Sequence, residues 1–226
     1  MISPYGHFRW TRLPFGLNVS SEIFQRHLTQ ALEGLEGCIN VADDIIVAGP
    51  GETHEEAERD HEKNLKMLKE RCKDKGIKLN PNKASEKQEE VTFMGHSISA
   101  KGVQPDTSKI EAVLKMPGPQ DIHDVRRFCG MVQYLAKFLS NISEVLHPLR
   151  ELTKKDTPFL WNKKCEQAFG RVKEMITSAP VLTFYDSNKP LVLQVDCSKD
   201  DLGAVLLQEG KPIEFASRAL TETEKR

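Results

Sequence analysis

The sequence has no long apolar run. Nowhere do the ~18–20 consecutive apolar residues of a membrane span occur, and no charged-then-apolar stretch resembling a secretory leader opens the chain. Paired cysteines are missing too. Cys38, Cys72, Cys129, Cys165 and Cys197 are odd in number, widely separated and never in a C-x-x-C arrangement. Such spacing points to free thiols in a reducing, intracellular compartment, cytoplasm or nucleus, and away from a zinc site. His54 and His61 do not change this, since neither has a cysteine or histidine partner at ligand spacing. No excess of one charge sign exists either: the net charge is −1, so bulk charge does not announce a nucleic-acid binder. Internal repeats and low-complexity tracts are absent.

What is present is a globular composition, 38% hydrophobic and 29% charged, in 226 residues, enough for one large domain or two small ones. The charge is unevenly placed. Between Lys63 and Lys87 nine basic residues face three acidic ones, a local net of +6. A run of this kind can track phosphates, but Lys and Arg on a solvated helix face are commoner, and that plainer reading is preferred.

Periodicity divides the chain into strands, then helices, then strands, which predicts an α+β protein of separate modules. Ser20 or Ser21 is expected to cap a helix carrying Ile23, Phe24, Leu28 and Leu32. Cys38–Ala42 and Ile45–Val47 bracket Asp43-Asp44 and predict a hairpin with a two-residue acidic tip. Thr53 precedes a long polar helix for which Gly76 is a natural stop. Ile77–Leu79 and Val91–Met94 are expected to be short strands. Asp106 and Asp121 cap helices, the second amphipathic through Val125, Phe128, Val132, Leu135 and Phe138. Beyond Pro180, Leu191–Val195, Gly203–Leu207 and Pro212–Ala216 alternate as strands, the last two joined by a turn at Glu209-Gly210-Lys211.

The residues most suggestive of chemistry are Asp43 and Asp44. Adjacent carboxylates at the tip of an apolar hairpin repel unless a cation neutralises them. Mg²⁺ takes oxygen ligands, often one or two carboxylates with substrate phosphates. On its own an Asp-Asp pair is better explained by a turn.

The surroundings decide. Leu13-Pro14-Phe15-Gly16-Leu17, then Ser20-Ser21-Glu22-Ile23-Phe24-Gln25, then Val41-Ala42-Asp43-Asp44, resembles the reverse transcriptases of gypsy-type LTR retrotransposons in motif order and separation. Phe93-Met94-Gly95-His96 is similar to their primer-grip hairpin. Arg127-Phe128-Cys129-Gly130, Tyr134, Phe159-x-Trp161 and Ala179-Pro180-Val181-Leu182 resemble the segment joining palm to RNase H. Leu191 to Asp196 with Gly203-Ala204-Val205-Leu206, and Ala216-Ser217-Arg218-x-Leu220-Thr221-x-x-Glu224, resemble the opening of a retroelement RNase H.

The resemblance implies an α+β chain made of a partial reverse-transcriptase palm (residues 1–98), a mostly helical thumb or connection (99–178) and the N-terminal half of an RNase H-like fold (179–226). It implies RNA-directed DNA polymerase and RNase H activity on a primer–template, with deoxynucleoside triphosphates and Mg²⁺ or Mn²⁺ and no membrane partner. By the same resemblance, Asp43, Asp44, Asp196 and Glu224 are catalytic metal ligands. Phe15 and Gly16 lie beside the incoming nucleotide, and Met94 and Gly95 hold the primer end. Val41 departs from the usual Tyr, and Cys197 from the usual Ala or Thr. The family's third palm aspartate and fingers precede the LPFGL motif, and two further RNase H carboxylates follow Glu224. The chain is therefore expected to be an internal fragment, inactive alone. The rival expectation is a non-catalytic, retroelement-derived module that binds nucleic acid or protein.

Overall fold

The computed structural model describes residues 2–51, 53–221 and 223–225. Its contacts divide into two compact units, residues 1–88 and 89–226.

In the first unit, β1 (Ile2–Ser3) and β2 (Gly6–His7) form a short antiparallel ribbon, followed by α1 (Ser20–Leu32), β3 (Cys38–Val41), β4 (Asp44–Val47) and α2 (His54–Lys75). Helical spacing puts Leu28 and Leu32 of α1 against Leu68 and Cys72 of α2, with Leu35 completing a small core on which Cys38, Ile45 and Val47 pack. α2 starts in a capping box: Thr53 and Glu56 each satisfy the other's backbone N–H. It stops at Gly76, which takes a left-handed conformation (φ +69), while the N–H of Ile77 donates to the Cys72 carbonyl at 2.8 Å. Arg71 reaches across to donate to the Ala31 and Glu33 carbonyls, both at 3.0 Å, closing the C-terminal end of α1.

Two local expectations are corrected here. Ser20 is the first helical residue rather than the cap, and its hydroxyl donates to the Pro14 carbonyl at 2.8 Å, so it closes the preceding loop. Ile77–Leu79 forms no strand. Three residues between a glycine helix stop and Asn80-Pro81 pair with no strand among the described residues, and the chain passes instead into a 3₁₀ turn at Pro81–Lys83.

The second unit opens with an antiparallel meander of β5 (Glu90–Phe93), β6 (His96–Ser99) and β7 (Gly102–Pro105). Next come α3 (Thr107–Leu114), α4 (Ile122–Tyr134), α5 (Ile142–Glu151) and α6 (Lys163–Thr177). Their apolar faces meet in one large core, with Val125, Phe128, Val132, Phe138, Leu146 and Val172 all fully buried. Asp106, Asp121 and Asn162 cap α3, α4 and α6 through side-chain oxygens. The amphipathic run through Phe138 is not one helix: α4 ends at Tyr134, and a 3₁₀ turn carries Ala136–Phe138.

The unit finishes with β8 (Val192–Cys197), β9 (Asp201–Gln208) and β10 (Lys211–Ala219), an antiparallel sheet with β9 central. Glu209 and Gly210, both at positive φ, make its two-residue turn. Along β8 every residue is exposed. Among the described residues no helix is long and apolar enough to cross a membrane.

Candidate functional site

The acidic pair sits at the tip of the β3–β4 hairpin. Val41 pairs with Asp44, so the two-residue loop is Ala42-Asp43, one position earlier than expected, and Asp44 already belongs to β4. Both carboxylates are exposed. Ala42 adopts φ +50, a left-handed conformation that an alanine Cβ disfavours. Gln25 of α1 holds it there. Its Oε1 accepts from the Ala42 N–H, and its Nε2 donates to the Asn40 carbonyl at 3.2 Å and to Thr29 Oγ1 at 3.0 Å. Asn40 adds a bond from Nδ2 to Thr29 Oγ1 at 3.3 Å. The β3 side of the tip is thus pinned, at Asn40 and at the first turn residue Ala42, by one amide side chain. Nearby in sequence, Phe15 is fully exposed and Gly16 lies at φ +84, so neither serves a core.

A second hairpin, β5–β6, turns at Met94-Gly95, both at positive φ. Tyr134 of α4 donates its hydroxyl to the Met94 carbonyl. A Cβ on Gly95 would overlap that hydroxyl, so the turn needs glycine for its φ and for the close approach. The His96 ring lies 5.4 Å from Tyr134 and 5.6 Å from Phe138, with Nε2 buried and unpartnered. Burial, then the nearby Lys137 ammonium, pushes the His96 pKa down.

The third candidate lies in the β8–β9–β10 sheet. Asp196 pairs with Gly203, and Gly203 with Ser217. Alternation therefore places Asp196, Asp201, Gly203 and Ser217 on one face, with Ser198 in the turn beside it. The N-terminal end of α5 covers that face. Ser143 donates its N–H to Ser217 Oγ at 3.0 Å, and Asn141 packs so closely on Gly203 that a Cβ would overlap its Oδ1. Between them is a cleft of about 220 Å³, including the solvent at its mouth, lined by Asn141, Glu144, Asp196, Ser198, Asp201 and Ser217. Asp196 is exposed, and its Oδ1 accepts from the Cys197 N–H at 2.9 Å. Asp201 is only 6% exposed, and neither carboxylate oxygen has a hydrogen-bond partner.

Glu224 is engaged elsewhere. Arg218 donates to its two oxygens at 2.9 and 2.6 Å, and the Thr221 N–H and hydroxyl donate at 2.9 Å. The Arg218 bond first, then the Thr221 bonds, hold its pKa down to about 2. Among the described residues no three His, Cys, Asp or Glu side chains converge on a common point. Each acidic site thus offers one or two carboxylates. That fits Mg²⁺, which keeps several waters and completes its shell with phosphate oxygens. The orphaned Asp201 carboxylate is a donor of the required kind. Sequence reasoning missed Gln25 as the clamp of the tip and Asp201 as part of the cleft. Gln25 stood inside a quoted motif, whereas nothing in the local pattern distinguished Asp201 from its neighbour Asp200.

Two family models match this chain: "Reverse transcriptase (RNA-dependent DNA polymerase)" over residues 2–98 and "RNase H-like domain found in reverse transcriptase" over residues 161–226. The Retrovirus-related Pol polyprotein from transposon 412 of Drosophila melanogaster is 36% identical over 97% of the chain, and that from transposon 297 is 32% identical over 97%. The Transposon Tf2-3 polyprotein of Schizosaccharomyces pombe is 33% identical over 91%. The chain belongs to the reverse transcriptase/RNase H region of retrotransposon Pol polyproteins. It spans 18%, 20% and 15% of the length of these three relatives. The foamy viral protease-reverse transcriptase is similar in structure. Solved with double-stranded DNA, it superposes with a TM-score of 0.82 at 25% identity, over 96% of this chain and 38% of that one. Its complex with an RNA/DNA hybrid gives 0.81, over 96% of this chain and 29% of that one.

Proposed function

We propose that this chain carries parts of two phosphoryl-transfer sites: RNA-directed DNA synthesis at the Asp43-Asp44 tip and RNA-strand hydrolysis at Asp196. The substrates are a primer–template, deoxynucleoside triphosphates and the RNA of a hybrid, and the cofactor is Mg²⁺ or Mn²⁺. One observation carries the reading: adjacent exposed carboxylates on a hairpin tip whose backbone is pinned at Asn40 and Ala42 by Gln25. A turn that served connection alone would need no such clamp. Residues 1–98 act as palm, 99–178 as thumb or connection, and 179–226 as the RNase H-like part.

Divalent ions bound at such carboxylates supply charge neutralisation for the attacking and leaving oxygens. Asp43 and Asp44 hold them at the primer end, and Gln25 keeps the tip from moving. Met94 and Gly95, fastened to α4 by Tyr134, orient the primer terminus. Phe15 presents its exposed ring, and Gly16 an open backbone, to the incoming nucleotide. At the nuclease site Asp196 would be the principal ligand of the ion, and Glu224, held here by Arg218 and Thr221, would be the second.

The test places residues 1–226 in the transposon 412 polyprotein, replacing the stretch matched over 225 residues. Primer extension and hybrid cleavage are then assayed with Mg²⁺. Asp43→Asn with Asp44→Asn is expected to abolish extension and spare cleavage, and Asp196→Asn to do the reverse. A hybrid polyprotein that binds primer–template but performs neither reaction, beside an active parent, would favour a non-catalytic binding module.

A further inference from the structure

The cleft beneath α5 holds a carboxylate that its surroundings leave uncompensated. Asp201 opens β9, is 6% exposed, and has both oxygens free of hydrogen bonds. Burying an ionised or polar group without partners is costly, so such a group calls for an explanation. Its backbone is satisfied: the N–H donates to Ser198 Oγ at 3.0 Å, and the carbonyl accepts from the Ser198 N–H at 2.9 Å. The nearest helix terminus does not serve it, because the Ser143 N–H of α5 is taken by Ser217.

Its position on the sheet is informative. Asp196 pairs with Gly203, so Asp201 is its diagonal neighbour on the same face. Diagonal neighbours stand ~7–8 Å apart at the backbone, close enough for two carboxylates to meet one ion between them. Glu144, in the first turn of α5, lines the same cleft and adds a third negative charge. Two carboxylates on one sheet face, one of them buried and unpartnered, with Glu144 adding charge at the cleft wall, make a cavity complementary to a hard cation.

We propose that Asp201 and Asp196 together bind a divalent cation of the Mg²⁺ class in this cleft, with Asp201 as the buried ligand. The inference rests on the nuclease reading of Asp196 and adds to it a ligand from the start of β9. Ser198, whose hydroxyl already fixes the Asp201 backbone, sets the β8–β9 turn that brings the two carboxylates together.

The test uses the full chain carrying Asp43→Asn and Asp44→Asn, so that Mn²⁺ cannot gather at the other tip. Paramagnetic broadening of backbone amides is followed as Mn²⁺ is added, alongside melting temperature. Broadening is expected to centre on residues 196–203, and Mn²⁺ to raise the melting temperature. Asp201→Asn is expected to weaken Mn²⁺ binding by about 10-fold or more, a loss that even supporting residues of a metal site produce. Without metal the same variant should melt no lower than its parent, which separates lost binding from lost folding. If broadening at 196–203 is unchanged by Asp201→Asn yet abolished by Asp196→Asn, this inference falls and the nuclease reading stands. Absence of broadening near Asp196 in the parent would overturn both.

Discussion

Single side chains decide how far each candidate site is preorganised. Gln25 contributes three hydrogen bonds around the β3–β4 tip, two of them to backbone at Asn40 and Ala42, leading into the acidic turn. Gln25→Ala leaves Ala42 at φ +50 without its partner, and a relaxed turn moves Asp43. A shift of ~1 Å at reacting atoms costs about 10²-fold in rate. Primer extension by the hybrid polyprotein is expected to fall by about that factor, with hybrid cleavage preserved. Extension within threefold of the parent would show the clamp to be dispensable.

His96 sets a pH response at the same scale. Its folded-state pKa is lowered, chiefly by burial, so the unfolded chain binds the proton more readily. The stability that depends on neutral His96 is present above its unfolded value near 6.5 and is lost as pH falls through the lowered folded value. Urea midpoints measured from pH 7.5 downward, a range of ~1–2 units about the histidine pKa, are expected to drop more steeply for the parent than for His96→Phe. Equal slopes would remove His96 from the account. Glu224 titrates in a lower window. Its Arg218 and Thr221 bonds contribute fully above the ordinary value of 4.5 and are lost as pH falls toward about 2, so Glu224→Gln should flatten that limb.

Among the elements, the two hairpins differ in what fastens them. β3–β4 is held by α1 through Gln25, and β5–β6 by α4 through Tyr134. Gly95→Ala forces a Cβ into the Tyr134 hydroxyl and a side chain onto φ +67. A loss of about 1–3 kcal/mol is expected, read from urea unfolding, since strained positions of this type cost that much. Adding Tyr134→Phe should recover little, because φ remains unfavourable. Apart from Arg71, which bonds the end of α1, the basic run that starts on α2 and continues to Lys87 pairs at the surface. Lys69 pairs with Glu86 at 2.7 Å, and Lys87 with Glu58 and Glu62 at 2.8 and 2.6 Å, all exposed. Exposed pairs of this kind add little stability. β8 is the opposite case. Val192, Leu193 and Val195 are more than half exposed on an edge strand, an arrangement that invites pairing with another chain. Leu193→Lys with Val195→Lys is expected to lower concentration-dependent aggregation measured by light scattering.

Over the whole molecule, stability is concentrated in two separate cores of very different size. Phe128 is fully buried and its ring meets Phe169 at 4.6 Å, so Phe128→Ala is expected to cost about 3–5 kcal/mol in the unfolding of residues 89–226. Most of the architecture was legible in the residue pattern. The Thr53, Asp106 and Asp121 caps, the acidic hairpin and the late strands follow from interactions a few residues long, which local spacing records. The linear order of LPFGL, the acidic pair and the later motifs was enough to identify the family. What only the tertiary structure decided depends on residues far apart in sequence. Gln25 meets Ala42 across 17 positions, Tyr134 meets Met94 across 40, and Ser143 meets Ser217 across 74. The burial of Asp201 has the same origin. Its carboxylate loses water because α5, some 50 residues earlier, lies over the sheet face it shares with Asp196. Periodicity assigns a residue to a face, but only packing determines whether that face is wet or dry and which polar partners it keeps.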